Sequence, residues 1–248
     1  MASLPGAKQI HQTIFFLWGY YFPFFKRRKA NYNIFSPYLL LTMAFNKNTD
    51  KIAIVVRDFT LKKKKEIFID RFSEPYIVSI AIDQEGAANP SIDFNMLSFP
   101  NVKKGDTVSF DGQGHLIYGP KNPKEFVAYT VLFMESDKDM RDLGKFLEET
   151  ITSEAANIGA KALLAAAPSA GTAITVLQKL SEFVCIQMQK NKDDQLFRRN
   201  GTLLRDVDPP YEILRTYTSE NDFIKTNISI IHLPVSNDLG AQGRKIKL

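Results

Sequence analysis

From Lys51 onward, short β-branched runs alternate with turn chemistry. KIAIVVRDFTL (51–61), EIFID (66–70), EPYIVSIAID (74–83), IDFNMLSF (92–99), TVSF (107–110) and HLIYG (115–119) each have the length and composition of a strand. QEGAANPS (84–91) reads as a turn, and DGQG (111–114) as the turn of a hairpin. EFVAYTVLFM (125–134) has no polar face, which predicts a central strand of a buried core. Strands resume with GTLLRDV (201–207), YEILRTYT (211–218) and DFIKTNISIIHL (222–233). Many short strands at this spacing predict a mainly β fold, an antiparallel β-sandwich.

Between these two groups the period changes. Met140, Leu143, Leu147, Ile151, Ile158 and Ala162 fall near helical spacing over 139–164, and Ile174, Leu177, Leu180, Val184 and Met188 form a second stripe. Pro168 and Gly171 break the pattern between them. An α-helical hairpin inserted at about 139–190 is therefore expected. Its alanine-rich turn is interrupted by Lys161 and is short, so packing on the sheets is expected rather than a membrane hairpin. The domain expected to contain all of this spans 43–234, and 235–248 reads as a flexible tail.

Residues 1–42 differ from the rest. TIFFLWGYYFPFFKRRK (13–29) is dense in aromatics and ends in four cations. The charge follows the apolar run instead of preceding it, and Gly19 and Pro23 interrupt a stretch too short to span a bilayer. Either the segment is a disordered leader or over-extended start ahead of a domain beginning at Met43, or it lies in a membrane interface. With no convincing signal peptide or transmembrane helix, a cytoplasmic or membrane-peripheral location is expected.

Charge changes the picture only through its placement. The formal net charge is +5, but 1–42 holds Lys8, Lys26, Arg27, Arg28 and Lys29 and no acid, leaving 27 basic and 27 acidic residues in the remainder. A neutral body gives no reason to expect a nucleic-acid partner. Cys185 is the only cysteine, and His11, His115 and His232 are scattered, so thiolate zinc sites and histidine-based acid–base sets have little material. DGQGH (111–115) lacks the helix and third glycine of a nucleotide fingerprint. No nucleophile–base set stands out, and a non-enzymatic module is expected.

Two stretches carry a family likeness. DRFSEPYIVSI (70–80) resembles a signature of the conserved-2 domain family, the calcium- and phospholipid-binding β-sandwiches, in which an acid and a short loop lead into a strand. VLFMESDKDMRDLG (131–144) resembles that family's later loop, where a buried strand ends in spaced acids. The likeness implies a conserved-2-like sandwich over about 51–144, with calcium held by Asp70 and Glu74 from one loop and Glu135, Asp137 and Asp142 from the other. Asp139 is a further acid there. Calcium takes about six to eight oxygen ligands, which two acidic loops at one end of a sandwich can supply. The sequence departs from the pattern: glutamate stands at 74 and 135, and helical periodicity follows Leu143. The same acids therefore have a second reading, with Ser136 or Asp137 capping a helix and Asp139 favouring its dipole.

Lys62, Lys63, Lys64 and Lys65 in LKKKKE (61–66) admit two readings as well, a lipid or anion contact or a solvated device that keeps a strand edge from aggregating. The expected partner is a protein or an anionic membrane surface. The alternative is a structural component of a larger assembly with the same fold and neither ion nor lipid.

Overall fold

The computed structural model describes residues 45–64, 73–136, 142–235 and 244–248. Among the described residues the chain is mainly β, with two antiparallel sheets and four α-helices. In order, the elements are β1 (Ile52–Leu61), β2 (Pro75–Asp83), α1 (Gln84–Ala88), β3 (Ser91–Ser98), β4 (Thr107–Ser109), β5 (His115–Lys121) and β6 (Phe126–Glu135). Then come α2 (Leu143–Asn157), α3 (Ala160–Ala166), α4 (Ala170–Lys190), β7 (Asp194–Leu204), β8 (Thr216–Glu220), β9 (Ile224–His232) and β10 (Arg244–Lys247). One sheet runs β4–β1–β9–β8 with β5 also on β1; the other runs β10–β3–β2–β6–β7.

The second sheet explains the apolar runs. Every residue of β2 and β6 is buried. Tyr76, Val78, Ile80, Leu132 and Met134 share a core with Leu147, Ile151, Leu177, Leu180 and Val184 of the helices. Alternate residues look the other way, toward the first sheet. There Phe133 meets Phe59 edge-on at 5.4 Å, Ser79 Oγ donates to Ile117 O at 3.4 Å, and Asn95 Nδ2 donates to Leu116 O at 2.6 Å. A sheet covered on both faces needs no polar face, which is why EFVAYTVLFM has none.

Four local expectations are corrected. Two helices were expected over 139–190, and three are found over 143–190. Gly159, at φ 64°, ends α2 in the left-handed region, and Ser169 restarts the chain by accepting from Thr172 N. QEGAANPS opens with α1 rather than a turn, because Asp83 Oδ1 accepts from Gly86 N at 2.7 Å and caps it. TVSF and HLIYG do not form a hairpin: β4 and β5 both pair with β1, one after the other along its edge. Gly114, at φ 101°, makes this passage possible, since a Cβ there would stand 2.6 Å from Val56 O. Within the expected flexible tail, Arg244–Lys247 forms the edge strand β10 on β3, with Ile246 buried. The leader 1–42 and the strand expected at 66–70 lie outside the described residues.

A polar network ties the sheets together. Lys121 Nζ lies 2.7 Å from Asp83 Oδ2 and 2.6 Å from Asp93 Oδ2, and Tyr118 OH donates to Asp83 Oδ2 at 2.8 Å. Burial works against the ammonium, but the two carboxylates outweigh it and hold Lys121 above the ordinary lysine range. Asp83 is almost wholly enclosed, so removing the cation strands a buried charge. Lys121→Met is expected to lower stability by about 3 kcal/mol in a denaturant titration. Lys247→Met, at an exposed edge position, should shift it by no more than about 0.5 kcal/mol.

Candidate functional site

Hydrogen bonds gather several chain segments at one end of the two sheets. Leu61 closes β1, and Gly105 N donates to its carbonyl at 2.7 Å while its own N–H donates to Asp106 O at 3.1 Å. The turn holding Lys103 and Lys104 is thus fastened beside Lys62–Lys64. On the other side, Lys62 N donates to Phe223 O at 2.6 Å, and Thr60 pairs with Lys225. The first sheet therefore ends in Lys62, Lys63, Lys64, Lys103, Lys104 and Lys225, set against Asp106, Glu220 and Asp222.

The expected lysine contact is placed in part. Lys62 Nζ pairs with Glu220 Oε1 at 3.3 Å and donates to Asn221 O at 2.7 Å. Lys63 Nζ stands 5.7 Å from the centroid of the Phe223 ring. Lys65 lies outside the described residues.

At the same end the second sheet is acidic. Ser73 and Val102 exchange backbone hydrogen bonds at 2.7 and 2.9 Å, which joins the start of β2 to the lysine turn. Ser136 N donates to Glu74 O at 3.3 Å, and Pro75 pairs with Glu135. The described edges of the two stretches that carry the family likeness, Glu74–Pro75 and Glu135–Ser136, therefore meet. β7 enters beside them, with Asp194 directly across from Glu135. Tyr76 OH donates to Asp193 Oδ2 at 2.7 Å and Ser136 Oγ to Asp193 Oδ1 at 3.3 Å. Burial, reinforced by Asp193, raises the Tyr76 phenol far above its ordinary value and keeps it a donor.

The expected calcium ligands fare unevenly. Glu74 is exposed and Glu135 is buried at 6% exposure, with no hydrogen-bond partner for Oε2 among the described residues. Asp142 is exposed in the N-cap position of α2 and makes no side-chain capping bond. Asp70, Asp137 and Asp139 lie outside the described residues, as does any cap by Asp137. Among the described residues, no group of three or more His, Cys, Asp or Glu side chains could hold a metal ion.

Sequence reasoning missed Lys103, Lys104, Asp193 and Asp194. PNVKKGD (100–106) and KNKDDQL (190–196) show the charges plainly, but only the pairing of strands brings them beside Lys62 and Glu135. Acidic side chains directly opposite on adjacent strands disfavour one another, and a buried carboxylate oxygen left without a hydrogen bond costs more to desolvate than a neutral amide. In metal-free buffer, Glu135→Gln should therefore raise stability by about 1 kcal/mol, read as a higher denaturant midpoint. A lower midpoint would mean that the carboxylate is compensated.

No protein-family model, curated protein or solved structure matches this chain.

Proposed function

We propose that the chain is a non-catalytic docking module with a conserved-2-like sandwich and a helical insertion, and that it engages an anionic membrane surface through the lysine-bearing end of its first sheet. The observation that carries this reading is the fastening of the Lys103–Lys104 turn to Leu61, which concentrates lysines from three segments at one end. Clustered lysines attract anionic headgroups with about 1 kcal/mol each near the surface, and salt screens the effect. Among the described residues no helix is long and apolar enough to cross a membrane, so the reading calls for docking by surface charge.

A second reading, a structural component of a larger assembly, draws on the opposite end. Leu214 is 79% exposed just before β8 and holds a left-handed φ of 66°, and Val235 is 75% exposed just after β9. Exposed apolar side chains, one of them held on a left-handed backbone, favour a protein partner.

Co-sedimentation with phosphatidylcholine vesicles, with and without phosphatidylserine, separates the two. The full chain should pellet only with phosphatidylserine and should be released by salt. A Lys63→Glu/Lys104→Glu pair should weaken binding about tenfold or more. A chain starting at Met43 should bind as well as the full one if the leader contributes nothing. Adding calcium tests whether the acids of the same end strengthen docking. No binding to phosphatidylserine vesicles at low salt, or equal binding by the double variant, would overturn the membrane reading in favour of the assembly.

A further inference from the structure

His115 opens β5 opposite Val56 and is 1% exposed, and among the described residues neither Nδ1 nor Nε2 has a hydrogen-bond partner. Its β1 partner Val56 is wholly buried, and the histidine joins the run of aromatic side chains that links the two sheets. Its ring is tilted against Phe110, at 5.6 Å between centroids and 36° between planes. Phe110 in turn meets Phe99 at 5.6 Å, and Phe99 meets Phe59 at 5.1 Å. A phenylalanine would fill this seat and stack in the same way without two orphaned polar atoms, so packing alone does not account for a histidine.

The rings beside it belong to a particular stretch of chain. Phe99 and Phe110 bracket the turn that carries Lys103 and Lys104. The stretch is held to the body by Phe99 N to Pro75 O, Val102 N to Ser73 O, Gly105 N to Leu61 O and Phe110 N to Arg57 O. Its only strand is the three-residue β4. Ser73 N to Val102 O, Leu61 N to Asp106 O and the short ladder of β4 on β1 hold it as well, and the aromatic contacts beneath add to this anchorage.

We propose that His115 is an acid-sensitive latch on residues 99–114: mild acid protonates the ring, the cation leaves its apolar seat, and the lysine turn is released. An imidazolium has two N–H donors and a full charge, and the seat offers an acceptor for neither. The charged groups on the surrounding elements are engaged elsewhere. Arg57 on β1 donates to Gly112 O and Ser229 Oγ, and Asp58 accepts from Asn227. Asp93 on β3 and Asp83 on β2 hold Lys121 of β5, while Asp111 in the preceding turn is exposed. Burial alone lowers the His115 pKa to about 4. The neutral ring's contribution is therefore complete above about pH 6.5, the ordinary value for histidine, and is lost as pH falls toward 4. The consequence for membrane docking rests on the proposed function; the latch itself does not.

Two measurements on the full chain test the latch at pH 7 and below. Hydrogen-exchange protection of the Val102, Gly105 and Phe110 amides, corrected for intrinsic rates, should fall about twentyfold from pH 7 to pH 5. His115→Phe should abolish that fall. Independently, NMR of labelled histidine should show His115 titrating near pH 4 in the folded chain, a readout that stands if the variant does not fold. An ordinary titration near pH 6.5 with unchanged protection, or the same loss of protection in His115→Phe, would overturn the proposal. Failure to bind vesicles at pH 7 would sink the docking reading and leave both of these readouts unaffected.

Discussion

The rest of the molecule depends on the burial of β2 and β6 on both faces. A sheet whose central strands carry no polar face must be covered twice, and a single opposing sheet cannot do that. Here the first sheet takes one face through the Phe59 ring and the backbone carbonyls of Leu116 and Ile117, and the helices between β6 and β7 take the other through Leu147, Ile151, Leu177 and Val184. The helices are thus part of the core. Without them the side chains of Tyr76, Val78, Ile80 and Met134 would face water.

This arrangement divides the body into two ends of different character. At one, Lys121 joins the sheets by neutralising Asp83 and Asp93, and Asp83 also fixes the start of α1. At the other, the sheets are joined by rings: Phe99, Phe59, Phe133 and Phe197 follow one another at 5.1 to 5.8 Å. Rings impose less specific geometry than a buried ion pair, and the surface above them is where lysines and acids from separate segments collect. The end joined by the Lys121 network and the end where lysines from separate segments collect are therefore distinct.

Much of the fold was legible because period and burial agree. EPYIVSIAID and EFVAYTVLFM name β2 and β6 almost to the residue, and the helical spacing read from Asp139 onward contains α2, which begins at Leu143. Errors fell where a tertiary partner overrode local chemistry. DGQG looks like a hairpin turn, yet β1 is long enough to pair with the strands on both sides of it. RKIK at 244–247 is too polar to read as a strand until β3 offers an edge and Ile246 finds the helix-side core. The charged end was half legible: the Lys62–Lys64 run and Glu135 stood out, but no local pattern connects PNVKKGD or KNKDDQL to them. That connection exists only in the register of Asp194 with Glu135 and the bonds around Leu61.

The central claim, that the lysine end meets an anionic surface, is tested most directly by a hydrogen-exchange footprint of the intact chain on phosphatidylserine-containing vesicles. The account predicts new protection confined to residues 61–64, 99–106 and 221–225, with 204–214 and 233–235 unchanged. Protection appearing instead around Leu214 and Val235, or nowhere, would contradict it.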